Sequence, residues 1–411
     1  MIKIEKFVLK NGLTVLVQED KTTPMAVVNV LYKVGAKHEN KNKTGFAHLF
    51  EHLMFSGSIN IPEYDSPLQK VGGENNAFTS NDYTNFYAQL PAENIETAFW
   101  LESDRMLSLA FNEKNFLTQK KVVCEEFKEN YINKPYGDIW HIMRKLAFKQ
   151  HPYKWMTIGS ELAHIENATL EDAKDFFYHF YRPNNAIISV VGNITIKQIE
   201  TLANKWFGDI PANILTPVLY PTEPKQTNKQ FIEKKAKVPI DYIVKAWHIE
   251  ERLHPNFYTM DLITDIMGSG DSARLYQSLI KENPLFNTIN CYHLGAIDPS
   301  LFVITGKINK GVSMKEAENG IINEIEILKN KEISETEIKK ISNRIETIHS
   351  FENMQIMNRA HNMAYFEMLD ILDEIDHELE KYQFITNKQV QKYAQETFIE
   401  TNENTLYYYA E

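Results

Sequence analysis

Cysteine is nearly absent: Cys124 and Cys291 are the only two in a chain of 411 residues. Two thiols so far apart build no disulfide framework, which excludes a small stapled scaffold and suits a reducing compartment or indifference to redox. Long apolar runs are also missing. No stretch approaches about 18 uninterrupted apolar residues, so no membrane span is expected. Residues 1 to 20 alternate polar and apolar side chains where a secretory leader would carry a continuous apolar core. The location expected is therefore cytoplasmic, or periplasmic if a leader has been removed. Positive charge is in deficit: 44 Lys and Arg face 55 Asp and Glu, a formal net charge of −11 with no basic block. Sequence-independent nucleic-acid binding rests on neutralising phosphates, so nucleic acid is not an expected partner. What is present is an ordinary globular composition, 43% hydrophobic, and at this length two to three domains with ample core are expected.

Along the chain, Phe7, Leu9, Leu13, Val15 and Val17 alternate about an Asn11-Gly12 turn, and Val27 to Val34 follow Pro24, which predicts strands opening a sheet. From Thr44, a candidate N-cap, the period becomes helical through Phe46, Leu49, Phe50, Leu53 and Met54. A Gly72-Gly73 turn introduces short strands around 77–79 and 85–89. Long helices are expected over about 91–109 and 114–133, a buried strand over 186–191 and a helix over 195–207. Prolines 211, 217, 221 and 224, with a polar run after them, mark a linker. Beyond it the order of elements recurs: a strand pair near 231–249, a helix over 255–267, another helix, strands near 286–308, and long helices to about 399. The fold class read from this is α+β: two similar lobes, each a mostly antiparallel sheet packed with helices, at 1–210 and 231–411, joined by a Pro-rich linker at 211–230.

Chemistry concentrates in His48-Leu49-Phe50-Glu51-His52. On a helix, His48 and His52 lie one turn apart on one face, so two imidazoles can converge on one metal ion with Glu51 beside them. Such a pair suits zinc, whose catalytic sites use three protein ligands and keep an open position for water. A chain with this composition would carry such a pattern by chance about once in twenty, which favours a functional origin over two stray surface histidines. The remaining histidines form no comparable pair. The third ligand is left open by residue chemistry. Glu125, Glu126 and Glu129 all lie on the helix after 114; Glu126 and Glu129 share a face, and Glu125 points about 100° away from Glu126.

HLFEH is the inverted zinc motif of the inverzincin metallopeptidases. Around it, NGLTVLVQED near the start, Gly35-Ala36 with Glu39 before Thr44-Gly45-Phe46-Ala47-His48, Gly72-Gly73 before Asn76-Ala77-Phe78-Thr79, and Val122-Val123-Cys124-Glu125-Glu126 resemble the M16, pitrilysin-type family. The resemblance is specific from about residue 5 to 210. Thereafter it rests on Trp206-Phe207-Gly208-Asp209-Ile210-Pro211 and Ser272-Ala273-Arg274-Leu275.

The resemblance implies one Zn²⁺ per chain held by His48, His52 and Glu126, with Glu51 as the general base that deprotonates zinc-bound water. It also implies that Asn76, Ala77, Phe78 and Thr79 form an edge strand pairing with the substrate backbone, in keeping with β-augmentation. Three positions depart from the family pattern. Gln119 stands where a Glu is usual, and Lys281 and Thr288 stand where the second lobe usually offers an Arg and a Tyr to the developing oxyanion. The function expected is a zinc endopeptidase acting on extended or unfolded peptides. The expected assembly is a zinc-bearing subunit whose paralogous partner supplies the Arg/Tyr pair. A homodimer using donors such as Tyr292 or His293 is the runner-up. The alternative from another class is a non-catalytic scaffold or binding subunit of the same family.

Overall fold

The computed structural model describes residues 3–214 and 218–411; Pro217 of the expected linker lies outside the described residues. The chain divides into two compact units. The first takes Met1–Glu129, Trp155–Tyr220 and His349–Asp376, and the second takes Asn130–Lys154, Pro221–Ile348 and His377–Glu411. Neither is one continuous stretch: each draws a segment from the far side of the linker.

The first unit is built on six strands, β1 (Glu5–Val8), β2 (Thr14–Glu19), β3 (Met25–Tyr32), β4 (Glu74–Thr79), β5 (Thr84–Pro91) and β6 (Ala186–Gly192). They lie in the order β1-β2-β6-β3-β5-β4, with only β2 and β6 parallel. The central strands β3 and β6 are near-continuous runs of Val and Ile because both faces are covered. On one face Val27, Leu31, Ile187 and Val191 pack against Ala360, Met363 and Ala364 of the helix Ile356–Met368. Two alanines one turn apart let that helix approach closely. Its Arg359 is tied to the sheet by ionic contact with Asp20 and a 2.9 Å bond to Gln18 Oε1. At the opposite edge from β1, β4 is half exposed and pairs with β5 alone.

The second unit carries β7 (Gln230–Ala236), β8 (Tyr242–Ile249), β9 (Phe286–His293), β10 (Ser300–Ile308) and β11 (Glu403–Ala410), in the order β7-β11-β8-β10-β9. Again one pair, β7 with β11, is parallel. Apart from the additional edge strand β1, both sheets thus share one topology, in which the last strand inserts between the first two strands of the common five and makes the parallel pair with β2 or β7. The internal repetition expected from element order is real. Strand β11 lies beyond the helices that the sequence pattern carries to about 399; its Leu406-Tyr407-Tyr408-Tyr409 run, rich in strand-forming aromatics, is the signal that identifies it.

Candidate metal centre

Two helices of the first unit carry the chemistry: α1 (Phe46–Leu53) and α2 (Glu113–Phe127). The apolar positions of α1 are buried. Phe50 stacks on Phe176 and Tyr181 with ring centroids 5.2 and 5.3 Å away, and Leu49 is fully buried. That fixes the opposite face, with His48, Glu51 and His52, toward the half-open surface. In α2 the buried Val123, Cys124 and Phe127 set the rotation of the helix, which turns Glu126 and not Glu125 toward α1.

The helix does not start as expected from Thr44. The N-cap is Gly45, in the left-handed region at φ 93°, which has no side chain to cap with. Thr44 is buried, its hydroxyl 2.8 Å from His164 Nδ1 and accepting a 2.8 Å bond from the Ser160 amide. The free amides at the start of α1 are taken instead by the buried carboxyl of Glu39, whose Oε2 accepts from Gly45 N and Oε1 from Ala47 N, both at 2.8 Å. A carboxyl is favoured there by the helix dipole. The reach across the intervening loop left no local capping signal in the sequence.

His48, His52 and Glu126 each place one ligand atom within 4.8 Å of the others. Glu126 Oε2 is 3.8 Å from His48 Nε2 and 3.5 Å from His52 Nε2, and the two imidazoles are 4.8 Å apart at an 82° angle. Metal–ligand bonds of about 2.0–2.2 Å in a tetrahedron put neighbouring ligand atoms about 3.3–3.6 Å apart, and the 3.5 and 3.8 Å separations lie close to that range in a donor set of the kind zinc favours. Burial lowers the pKa of His48, opposed by the Glu126 carboxylate, and so favours a neutral ring with a lone pair. His48 Nδ1 is buried without a hydrogen-bond partner. The pKa of Glu126 is lowered, chiefly by its hydrogen bond with His52. The competing acids stand apart: Glu125 is exposed and paired with Lys128 at 2.9 Å, and Glu129 is exposed.

Glu51 is held from the edge strand. Thr79 Oγ1 donates to Glu51 Oε2 at 2.6 Å. Along β4, Glu74, Asn76 and Phe78 face one way and Asn75, Ala77 and Thr79 the other. The Phe78 ring packs edge-on to Tyr83 and His361 with centroids 5.8 and 5.3 Å away, and the Asn76 side chain accepts from the Ala77 amide at 2.8 Å. Gln119 is half-buried on α2. In the second unit, Lys281 Nζ lies over the Tyr276 ring at 5.4 Å and Thr288 is exposed on β9. Both ring nitrogens of His293 are engaged, Nε2 3.1 Å from Asp261 Oδ1 and Nδ1 accepting from the Gly295 amide at 3.2 Å. No helix among the described residues is long and apolar enough to cross a membrane.

Comparisons with known proteins agree with this architecture. Residues 14–153 match the family model described as Insulinase (Peptidase family M16), and residues 167–345 match the Peptidase M16 inactive domain. The chain is 31% identical to the zinc protease PqqE of Helicobacter pylori over 346 residues, covering 82% of this chain and 78% of that protein. It is 23% identical to the mitochondrial-processing peptidase subunit beta of Saccharomyces cerevisiae, with 81% and 75% covered. A crystal structure of a protease from Helicobacter pylori superposes over 100% of both chains with a TM-score of 0.95 at 26% identity. The chain belongs to the M16 family of peptidases.

Proposed function

We propose that this chain is a zinc-dependent endopeptidase that cleaves extended or unfolded peptides, in which His48, His52 and Glu126 hold the ion and Glu51 is the general base. The observation that carries the reading is the convergence of two imidazole Nε2 atoms and one carboxylate oxygen beside a carboxylate fixed by Thr79. What a bound zinc ion supplies is Lewis acidity, which brings the pKa of water down to about 7. Glu51 Oε1 accepts a proton as the water oxygen attacks the scissile carbonyl carbon. As the C–N bond breaks, Glu51 returns that proton to the leaving amine. The residues Asn76, Ala77, Phe78 and Thr79 receive the substrate backbone along the free edge of β4, where main-chain hydrogen bonds give affinity that tolerates varied side chains.

The proposal extends to assembly. Lys281 and Thr288 occupy the positions at which the family pattern has an Arg and a Tyr, and one relative is named as a peptidase subunit. The chain is the zinc-bearing member of a two-chain enzyme whose paralogous partner supplies that pair. A second reading, a non-catalytic subunit, draws on the inactive-domain match over residues 167–345.

Metal analysis of Glu126→Gln beside Glu129→Gln tests the ligand set. Loss of zinc and of peptide cleavage in the first variant alone is the expected result. Zinc kept in the Glu126 variant and lost in the Glu129 variant overturns the assignment.

A further inference from the structure

We infer that Thr79 is a positioning residue for Glu51, tying the base to the strand that receives the substrate; the inference rests on the reading of Glu51 as general base. Its hydroxyl donates to Glu51 Oε2 at 2.6 Å, a short charge-assisted bond. Among the described residues no side chain bonds Glu51 Oε1, so one oxygen is held and the other is left to accept a proton. The backbone of Thr79 ends β4, which pairs with β5 on one side only. One residue therefore has its main chain on the substrate-pairing edge and its side chain on the base. The distance from the base to a paired peptide is then set largely by the covalent geometry of Thr79.

The surrounding backbone keeps this contact from drifting. Ala36 N donates to Ser80 O at 3.2 Å and Lys37 N to Asn81 O at 2.8 Å. Lys37 Nζ is 2.9 Å from Asp82 Oδ1, both side chains being buried. Two residues further on, Glu39 holds the first amides of α1. The short segment 35–39 thus grips the end of β4 with one half and the start of the base-bearing helix with the other. The hydrogen bond between Thr79 and Glu51 closes that frame. A base within a rigid frame is preorganised, and this role predicts an effect on turnover rather than on substrate affinity.

The test compares Thr79→Val, Thr79→Ser and Glu51→Gln by steady-state peptide hydrolysis, zinc content and thermal melting. Valine keeps the shape and strand preference of threonine and removes only the donor. The expected result for Thr79→Val is a kcat lowered about tenfold, KM changed less than about twofold, and zinc and melting temperature unchanged. Thr79→Ser, which restores the hydroxyl, should recover kcat to within about threefold. A wild-type kcat in Thr79→Val overturns the inference, as does an equal loss of kcat in the Ser variant or a loss expressed in KM and melting temperature. Glu51→Gln separates the two levels of the argument. If it cleaves normally, the base assignment itself falls; if it is inactive while Thr79→Val is normal, only the positioning role falls.

Discussion

Gly35→Ala is the sharpest perturbation of the frame around the site, because its effect follows from distances. Gly35 has φ −142° and ψ −170°, extended backbone that alanine adopts freely, so conformational strain is not the cause of any defect. The cause is space. A Cβ there would lie 2.6 Å from Asn81 C, Asp82 N and Ser80 O, all backbone atoms that cannot rotate away. Reaching ordinary contact near 3.4 Å requires the 80–82 turn to retreat by about 0.8 Å. That retreat carries Thr79 with it and stretches its 2.6 Å bond to Glu51 toward 3.4 Å, beyond useful hydrogen-bonding distance for an O–H donor. The overpacking should cost about 1–3 kcal/mol of stability. Losing this bond should lower kcat by about tenfold, as for Thr79→Val. Zinc content should be unchanged, since the clash is with residues 80–82 and not with α1 or α2. Denaturant titration, metal analysis and peptide kinetics on one preparation check all three. Wild-type turnover with wild-type stability would refute the reasoning.

Two further predictions concern the scaffold and the assembly. The carboxylate of Asp20, bonded by Thr22 and Arg359, has its pKa lowered from 3.8 to about 2. A folded-state pKa below the unfolded one gives stability that is present above about pH 4 and lost as the pH falls through about 2. Asp20→Asn should therefore flatten the acid limb of an unfolding-versus-pH curve, and an unchanged limb would remove this pair from the account. Combined with a paralogue that lacks the HxxEH pattern but carries the Arg/Tyr pair, the chain should hydrolyse peptides about 100-fold faster than alone, the scale of a missing oxyanion donor. Full activity of the isolated chain, unaltered by the partner, contradicts the two-chain reading.

How much of this was legible in the sequence depends on the range of each interaction. The pairing of His48 with His52 on one face is legible from a four-residue spacing, because helical geometry alone places them together. The choice among Glu125, Glu126 and Glu129 is not. The rotation of α2, set by Val123, Cys124 and Phe127 burying themselves, distinguishes Glu126 from Glu125, whereas Glu129 lies beyond α2 in the π-helical turn Lys128–Asn133, and residue chemistry is the same for all three acids. The strands around Asn11-Gly12 and Gly72-Gly73 were legible because turn chemistry brackets them. The edge position of β4 was legible only through the family resemblance, and the insertion of β6 beside β2 was not legible, being a consequence of pairing across more than a hundred residues. Glu39 is the instructive case. It acts as a helix cap from outside the capping position, and the Thr44 side chain that looked like the cap is turned inward to His164.

The central claim, that a bound metal and a separate general base act together, is tested most directly by Glu51→Gln with zinc content and peptide cleavage measured on the same sample. Because Glu51 bonds Thr79 while the ligand atoms come from His48, His52 and Glu126, the variant should keep its zinc and lose cleavage by about 100-fold or more. Cleavage near the wild-type rate with zinc retained would contradict the account.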